Sequence, residues 1–504
     1  MEDASFSFGG SYIMALDCGT TSVLATIVDE YGCIVAQARR SVKTSFPRPG
    51  WVEQDPTEVL ASQIGVMMEV QFKSGIHSDR IAAIGISNQR ETTVVWDRIS
   101  GQPIYNAIVW QCRRTAPLID ELVERGAEEL VRSRTGLTLD PYFSASKVQW
   151  ILDNVDGARE SAAAGDLMFG TIDTWLIYNL TGSQVFATDY TNASRTALFN
   201  IHALDWDDDL LALFDVPRSM MPEVRWSSGD YGRVASDIMT NMPPIMGVAG
   251  DQQASLFGHC CFHPGQTKNT YGTGCFMLMN TGDEIVESKN GLVSTIGIAA
   301  DGKISYALEG SIFAAGSTMN WLRNNMGIIS SVSESAQLAT SINDNEGCYF
   351  VPAFAGLGAP WWDPHARGIV CGLTGASSRA TIVRAACESM AYQSYDVLRA
   401  MEQDVGLSIE RLSVDGGASR NEFIMQFQAD LLDIPVLQCE TVETTAIGAA
   451  YLAGLAVGYW EDLEELEQNA QIVKVFHPHM SAERRESNLA GWRDAVKRSL
   501  NTAQ

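Results

Sequence analysis

The sequence predicts an α/β fold built from two related domains around a cleft. Apolar, strand-like runs alternate with helix-like segments along the chain, as they do in α/β proteins. At 504 residues the chain is too long for a single hydrophobic core. The Gly-rich segment 265–274 also repeats, faintly, the Gly-Thr pair of the opening segment 17–22, which suggests two halves of similar construction.

Apolar runs in the first half predict strands that end in polar residues. Residues 12–17 and 25–29 are two such runs joined by a tight turn, and 81–86 is a third. Residues 56–72 carry a helical period, and 245–249 is a further apolar run. We expect the polar residues after these strands to collect at one sheet edge, which is where α/β folds bind ligands.

The second half continues the alternation and closes with helices. Residues 412–414 predict a strand that leads into a Gly-Gly turn. The uncharged segment 444–460 is short for a membrane span and full of Gly and Ala, so it predicts a buried, closely packed helix. Trp492, Val496 and Leu500 recur at helical spacing in a charged tail. The expected domains are 12–258 and 259–460, with the tail 461–504 packed on the second.

The composition excludes several classes of function. A formal net charge of −26 and a pI near 4.6 argue against nucleic-acid binding, which needs basic surfaces. The ten cysteines contain no C-x-x-C pair and several lie in apolar runs, so we expect reduced thiols. The N-terminus lacks the pattern of a secretion signal. We therefore expect a cytoplasmic protein without a membrane span.

Two polar segments at strand ends are candidates for a small-molecule site. The segment from Ser87 to Glu91 follows the strand 81–86 and sets an Arg and a Glu side by side, which suits a polyhydroxylated ligand. Such a pair is more often a solvated ion pair on the surface. Asp251 follows the strand 245–249, where it can act as a general base or, alternatively, as a helix N-cap.

Three Gly-rich turns follow predicted strands, at 17–22, 271–274 and 415–421. Glycine lets the backbone approach a phosphate closely, and a carboxylate such as Asp17 can hold Mg²⁺ directly or through water. Each turn alone is commonly structural, but the three together predict a nucleotide site. Neither the P-loop motif nor the dinucleotide-binding Gly motif occurs.

These turns resemble the phosphate-1, phosphate-2 and adenosine motifs of the actin, Hsp70 and sugar-kinase superfamily, whose two domains are ribonuclease-H-like (actin-like ATPase) folds. Within it the chain is similar to the FGGY carbohydrate kinases over essentially its whole length, and most similar to the members that act on glycerol. The segments that carry the resemblance are 87–93, 106–114, 140–144, 188–195, 250–253 and 269–276, and 142–154 matches the FGGY signature.

The resemblance implies phosphoryl transfer from ATP, with Mg²⁺, to glycerol, giving sn-glycerol 3-phosphate and ADP. It also implies a homodimer or homotetramer, and Asp251 as the catalytic base. The glycerol-binding residues that it implies are Arg90, Glu91, Trp110, Tyr142, Asp251, Gln252 and Phe276. The implied nucleotide-binding residues are Thr20, Thr21, Ser22, Thr273, Gly316, Asn320, Gly417 and Asn421, with Asp17 for Mg²⁺.

The chain departs from the family pattern at three positions that concern the nucleotide. Cys18 and Asn320 each replace a glutamine, and Leu24 stands where many relatives carry an arginine that reaches nucleotide phosphate; alternatively, Leu24 simply extends the apolar strand.

Two other functions stay open: an FGGY kinase for another polyol or a ketose, and an ATP-binding sensor of weak activity. The segment around Trp110 disfavours the first, and the presence of Asp17, Arg90 and Asp251 disfavours the second.

Overall fold

Strands and helices alternate along the chain, as the sequence predicts. The computed structural model describes residues 10–354, 356–363, 365–470 and 472–500. The strands are β1 (Tyr12–Cys18), β2 (Ser22–Val28), β3 (Ile34–Ser41), β4 (Glu53–Gln54), β5 (Ile81–Asn88), β6 (Val94–Asp97), β7 (Ala107–Ile108), β8 (Leu167–Gly170), β9 (Ala187–Asp189), β10 (Phe199–Asn200), β11 (Asp205–Trp206), β12 (Glu223–Arg225), β13 (Ile245–Gly250), β14 (Thr267–Tyr271), β15 (Cys275–Gly282), β16 (Val293–Ala300), β17 (Lys303–Ile312), β18 (Tyr349–Val351), β19 (Ile369–Cys371), β20 (Leu412–Asp415), β21 (Val436–Cys439) and β22 (Ile472–Phe476).

The helices are α1 (Pro56–Ser74), α2 (Ala116–Glu124), α3 (Glu128–Thr135), α4 (Ser144–Asn154), α5 (Ala158–Ala164), α6 (Ile172–Leu180), α7 (Tyr190–Ala193), α8 (Asp208–Leu213), α9 (Asp251–Gly258), α10 (Gly316–Asn324), α11 (Glu334–Thr340), α12 (Arg379–Val405), α13 (Glu422–Leu432), α14 (Thr444–Val457), α15 (Leu463–Asn469) and α16 (Ala482–Leu500). No helix in the described part of the chain is long and apolar enough to cross a membrane.

The chain divides into two compact units that do not follow chain order. Among the described residues, the first unit contains 10–260, 295–306 and 445–470, and the second contains 261–294, 307–444 and 472–500. The predicted domains follow chain order instead. The predicted tail 461–504 therefore contributes to both units, and its residues 471 and 501–504 lie outside the described ranges.

The sheet of the first unit has the order β13-β5-β1-β2-β3. Strands β13, β5 and β1 run parallel, so their carboxyl ends share one edge, while β2 and β3 are antiparallel to their neighbours. Helix α1 packs on one face, and the Asp55 carboxylate caps its first turn by accepting from the backbone N–H of Thr57 and Glu58. Strand β2 begins at Ser22, three residues earlier than the sequence predicts, because pairing with β1 and β3 continues almost to the turn.

Helix α14 packs against the first unit's sheet through glycines that leave no room for a side chain. A Cβ atom on Gly85 would lie 2.0 Å from the carbonyl oxygen of Ala449, and one on Gly247 would lie 2.5 Å from the nitrogen of Ala453. On the helix itself, a Cβ on Gly448 would lie 1.8 Å from the carbonyl oxygen of Ala254. This is the closely packed helix predicted within 444–460.

In the second unit, the strands β15, β14, β20, β21 and β22 are neighbours, in that order, in one sheet. Strands β14 and β20 are parallel, whereas β14 and β15 form an antiparallel hairpin. The long helix α12 and helix α13 bury their apolar faces in the core of this unit. Trp492 of α16 stacks on Tyr392 of α12 at 5.1 Å and donates to Asp396, so the predicted C-terminal helix is present.

Candidate active site

The carboxyl ends of β5 and β13 bring together the side chains predicted to bind the substrate. Strand β5 ends at Asn88, which lies in register with Gly250 at the end of β13. Arg90 follows the first strand and Asp251 follows the second. A side chain at position 250 would collide with Arg90, because a Cβ there would lie 2.7 Å from its Cγ and Cδ. Glycine at this strand end therefore allows the arginine to cross to the aspartate.

Arg90 is buried and contacts several of the side chains at this sheet edge. Its side chain is 2% exposed, and its Nε lies 3.2 Å from Oδ1 of Asp251. Its two terminal nitrogens donate to Gln253 Oε1 at 3.2 Å and to the Tyr142 hydroxyl at 3.4 Å. The Asp251 carboxylate is 29% exposed, so it is fixed by the guanidinium and still open to a ligand. Arg90 and Glu91 therefore do not form a solvated ion pair on the surface, because both side chains are buried.

Glu91 is buried, and its backbone has a conformation that few non-glycine residues adopt. Its φ is 60°, a left-handed value that costs about 1–2 kcal/mol in a non-glycine residue. Its carbonyl oxygen accepts from the hydroxyls of Thr93 and Ser144, each at 3.1 Å. Its carboxylate lies 2.7 Å from Nε of Arg195 and 3.8 Å from Nε of Arg90. The carboxylate is thus held between two buried cations.

Arg195 is the main residue of this site that the sequence analysis did not single out. Its side chain is fully buried, and its guanidinium lies over the rings of Phe143 and Tyr142, at 5.2 and 5.6 Å from their centroids. It therefore contacts two of the predicted substrate residues, Glu91 and Tyr142. The available signal was an arginine at the end of segment 188–195, one of the segments that carry the family resemblance.

Aromatic residues form one wall beside these charges. The rings of Trp110 and Tyr142 meet edge to face with centroids 5.5 Å apart, and Trp110 Nε1 donates to the Thr20 hydroxyl at 2.9 Å. The loop that carries Tyr142 is held by Lys147, whose Nζ donates to the carbonyl oxygens of residues 141, 142 and 143. Burial lowers the pKa of Lys147 to about 7, while the charge of Glu91 acts in the opposite direction.

Gln252 and Phe276 complete the predicted substrate set. Gln252 is buried in the first turn of α9, and its backbone N–H donates to Oδ1 of Asp251 at 2.7 Å. Phe276 lies half-buried on β15 of the second unit, opposite Thr270 of β14. The role of Phe276 as a wall for the substrate stays a prediction.

A buried polar network lies behind the strand ends. Asp189 caps α7 by accepting from the backbone N–H groups of Thr191 and Asn192, both at 2.9 Å. The Thr191 hydroxyl then accepts from the Gly250 N–H at 2.9 Å, and the Asn192 amide pairs with the side chain of Asn88. One short helix therefore fixes the ends of both β5 and β13.

The β1–β2 turn presents the predicted phosphate hydroxyls of the first unit. It is closed by a hydrogen bond from Gly19 N to Ser22 O at 3.0 Å, with Thr21 exposed and Thr20 and Ser22 half-buried. Gln54, a residue not predicted, supports the turn by donating to the carbonyl oxygen of Thr20 at 2.6 Å.

Asp17 has the chemistry expected of a magnesium ligand. It is half-buried at the end of β1, and its Oδ1 accepts from the Ser87 hydroxyl at 2.8 Å. A carboxylate among hydroxyls is the hard-oxygen set that Mg²⁺ prefers, so these residues fit that ion. The neighbouring Cys18 is a packing residue, since burial and then the charge of Asp17 raise the pKa of its thiol well above the ordinary range.

In the second unit, the predicted Gly-rich turn 271–274 contacts both the turn 415–421 and the start of α10. A Cβ on Gly416 would lie 2.6 Å from the Tyr271 carbonyl oxygen, and one on Gly316 would lie 2.6 Å from the Gly272 carbonyl oxygen. Only glycine allows these approaches. Thr273 is exposed at the tip of the β14–β15 turn, and a Cβ on Gly417 would meet nothing within 4 Å. The backbone at Gly417 therefore has space beside it, which is compatible with the nucleotide site that the sequence predicts.

The two predicted asparagines differ in how they are held. Asn421 caps α13 by accepting from the N–H groups of Phe423 and Ile424, and its amide donates to the Ser335 hydroxyl at 3.2 Å. Asn320 is exposed on α10, one turn after Gly316. Their contacts with a nucleotide stay predictions.

Comparison with known proteins identifies the family. The models for the N-terminal and C-terminal domains of the FGGY family of carbohydrate kinases match residues 12–258 and 267–457. Glycerol kinase 1 of Clostridium tetani is 56% identical over 97% of this chain and 98% of its own length. Glycerol kinase 2 of Thermotoga maritima is also 56% identical, over 97% of this chain and 99% of its own.

A solved structure agrees with these sequence matches. The glycerol kinase of Plasmodium falciparum with ADP superposes with a TM-score of 0.91 at 36% identity, covering 97% of this chain and 98% of that one. The predicted fold class is thereby confirmed as the two-domain, actin-like ATPase fold of the sugar kinases. With both domain models and near-full-length relatives in agreement, this chain belongs to the FGGY family of carbohydrate kinases.

Proposed function

We propose that this protein transfers the γ-phosphoryl group of ATP to glycerol, giving sn-glycerol 3-phosphate and ADP. The observation that carries the proposal is the group formed by Arg90, Glu91 and Asp251 beside the aromatic pair of Trp110 and Tyr142. Buried donors and acceptors beside an aromatic wall suit a small molecule with several hydroxyls on an apolar carbon backbone. The relatives at 56% identity are named for the same substrate.

Asp251 is the proposed general base. Its carboxylate is partly exposed, and the Arg90 guanidinium and the Gln252 N–H hold its orientation. It would accept the proton of the attacking hydroxyl as the oxygen bonds to phosphorus. The N-cap alternative is not supported, since Asp251 is the first residue of α9 and the cap position belongs to Gly250.

Arg90, Glu91, Tyr142 and Gln252 are the proposed hydroxyl-binding residues. Because Arg90 and Glu91 are almost completely buried, a substrate that lacks one hydroxyl would leave a buried polar group without its partner. This cost is the proposed source of discrimination against shorter or deoxygenated alcohols.

We assign nucleotide-binding residues in each unit separately. In the first unit the proposed residues are Thr20, Thr21, Ser22 and Asp17, the last for Mg²⁺. In the second unit they are Thr273, Gly316, Asn320, Gly417 and Asn421. MgATP supplies the phosphoryl group and charge neutralisation, while this chain's residues position the donor and the acceptor. We further propose a cytoplasmic homodimer or homotetramer.

Glycerol-dependent ADP release tests the proposal. The purified protein is assayed with ATP and Mg²⁺, with and without glycerol, and the product is identified by stereospecific oxidation of sn-glycerol 3-phosphate. We expect ADP and sn-glycerol 3-phosphate in equal amounts and little ADP without glycerol. ATP binding without glycerol-dependent turnover would instead support the sensor alternative.

A further inference from the structure

A row of paired residues crosses the first unit's sheet next to the β1–β2 turn. Ser87 of β5 pairs with Asp17 of β1, Asp17 pairs with Leu24 of β2, and Leu24 pairs with Arg39 of β3. Residues paired directly across neighbouring strands project from the same face of a sheet. The hydrogen bond from the Ser87 hydroxyl to Asp17 agrees with this geometry. The row therefore carries a carboxylate and a guanidinium on either side of an apolar residue.

Leu24 occupies the middle of this row as a packing residue. Its side chain is fully buried, and its carbonyl oxygen accepts from the Gln63 amide at 3.1 Å. The alternative in which Leu24 extends an apolar strand is therefore the better description. Position 24 supplies neither a charge nor a side-chain donor to the turn.

Arg39 reaches the turn from the adjacent strand. Its Nη1 donates to the Ser22 hydroxyl at 3.0 Å, and its side chain is exposed. The backbone of β3 is attached to the same turn, since Val42 N donates to Thr21 O at 3.0 Å and Ser41 pairs with Ser22. The guanidinium is thus positioned at the hydroxyl-bearing turn by the register of the sheet as well as by one hydrogen bond.

The overall charge of the protein makes a local cation important here. The chain has 61 Asp and Glu residues against 35 Lys and Arg residues, so a polyphosphate approaches a strongly negative molecule. A guanidinium offers several planar donors, which can serve the Ser22 hydroxyl and a phosphate oxygen together.

We propose that Arg39 is a phosphate-binding residue of the nucleotide site, and that it supplies from β3 the cation that position 24 of β2 lacks. This inference rests on the proposed use of ATP and deepens it, because it assigns to a residue of β3 part of the affinity for the phosphates.

Arg40 provides a matched control one residue away. It pairs with Val23, so it projects from the opposite face, where its Nε and Nη2 donate to Glu69 of α1 at 3.1 and 3.0 Å. Arg39→Gln and Arg40→Gln each remove one exposed positive charge from the same strand. Only the first removes a donor from the turn.

The test is calorimetric binding of MgADP, adenosine and glycerol to the full chain and to the variants Arg39→Gln, Arg39→Lys and Arg40→Gln. We expect Arg39→Gln to weaken MgADP binding about tenfold, the loss expected for one charge-assisted hydrogen bond. Adenosine and glycerol affinities and the melting temperature should not change. Arg39→Lys should lose less MgADP affinity than Arg39→Gln, and Arg40→Gln should bind as the wild type does.

Two outcomes would overturn the inference: unchanged MgADP affinity in Arg39→Gln, or an equal loss in Arg40→Gln, which would indicate a general charge effect. Failure of the proposed function is distinguishable, because then the wild-type protein itself would bind no MgADP or would not phosphorylate glycerol.

Discussion

At the residue scale, one buried carboxylate between two buried guanidiniums defines the candidate substrate site. Arg90 precedes Glu91 in the chain, so the sequence alone could place both at the end of β5. Arg195 is 104 residues further on, and its contact with Glu91 depends on how the short helix α7 is set against β5 and β13. No local pattern encodes that contact, which is why the second arginine was not predicted.

Removing Arg195 should affect stability and substrate binding together. Arg195→Met keeps a long apolar side chain but removes the nearer of the two guanidiniums from the buried Glu91 carboxylate, so we expect a loss of about 3 kcal/mol in the free energy of unfolding. The KM for glycerol should rise more than kcat falls. Arg113→Met is the control, because Arg113 forms a pair of the same 2.7 Å length with Asp140 but is half-exposed. It should cost less than about 1 kcal/mol. Equal losses in the two variants would contradict this account.

Asp251→Asn should separate binding from chemistry. The amide keeps the size of the side chain, and the other contacts of Arg90 with Gln253 and Tyr142 remain, so glycerol affinity measured by calorimetry should change little. Turnover should fall by roughly 10²- to 10⁴-fold, the usual contribution of a general base. Turnover close to that of the wild type would reject Asp251 as the base.

At the scale of elements, short connections fix the strand ends that carry the site. Asp173 lies in the first turn of α6 and accepts from the hydroxyls of Thr171 and Thr188, and the neighbouring Asp189 caps α7. Burial, and then the charge of Asp189, raises the pKa of Asp173 to about 7. Burial also raises the pKa of Asp189. Because the charge of Asp189 acts on Asp173, the protonation of Asp173 depends on that of Asp189.

This pair predicts a pH dependence of stability with a definite sign. Asp173 has a folded-state pKa of about 7, above its ordinary value of 3.8, so the folded state binds the extra proton. The stabilisation of the folded state by protonated Asp173 is complete below about pH 4 and is lost as the pH rises through about 7. Asp173→Asn cannot titrate and can keep both hydroxyl contacts. The free energy of unfolding of the variant, relative to that of the wild type, should therefore increase by a few kcal/mol as the pH rises from 4 to 8. Thermal unfolding at each pH measures this difference. A constant difference across that range would contradict the assignment.

The contact between α14 and the sheet is a second element-scale feature that can be tested. Gly85→Ala should lower the free energy of unfolding by about 1–3 kcal/mol, because the new methyl group would overlap the Ala449 carbonyl unless the helix moves. Gly375→Ala is the control, since a Cβ there meets nothing within 4 Å. Chemical denaturation of both variants measures the difference. An unchanged midpoint for Gly85→Ala would mean that the helix can shift without cost.

Local patterns predicted the strands that carry the candidate substrate site, but not how those strands pair. The apolar runs at 12–17, 81–86 and 245–249 correspond to β1, β5 and β13, because buried parallel strands are nearly continuous in hydrophobicity. The start of β2 was placed too late, since Ser22 is polar and only its pairing with β3 makes it part of the strand. The same pairing of β2 with β3 brings Arg39 to the turn, and no local sequence pattern predicts that pairing.

At the scale of the whole molecule, the compact units interleave along the chain. Residues 445–470 lie in sequence between two segments of the second unit but belong to the first, where α14 packs on the sheet. The sequence could predict two domains from length and repetition, but not this exchange. It depends on glycines at 85, 247 and 448, whose close approaches appear only in three dimensions.

Relative kcat/KM values for several polyhydroxylated compounds decide whether the site selects glycerol. Values of kcat/KM are measured by coupled ADP release for glycerol, 1,2-propanediol, a pentulose and gluconate under the same conditions. We predict that glycerol is preferred over 1,2-propanediol by roughly 10³-fold or more, because the missing hydroxyl would strand a buried partner. The pentulose and gluconate should be poorer still. A higher kcat/KM for the pentulose or for gluconate than for glycerol would contradict the account.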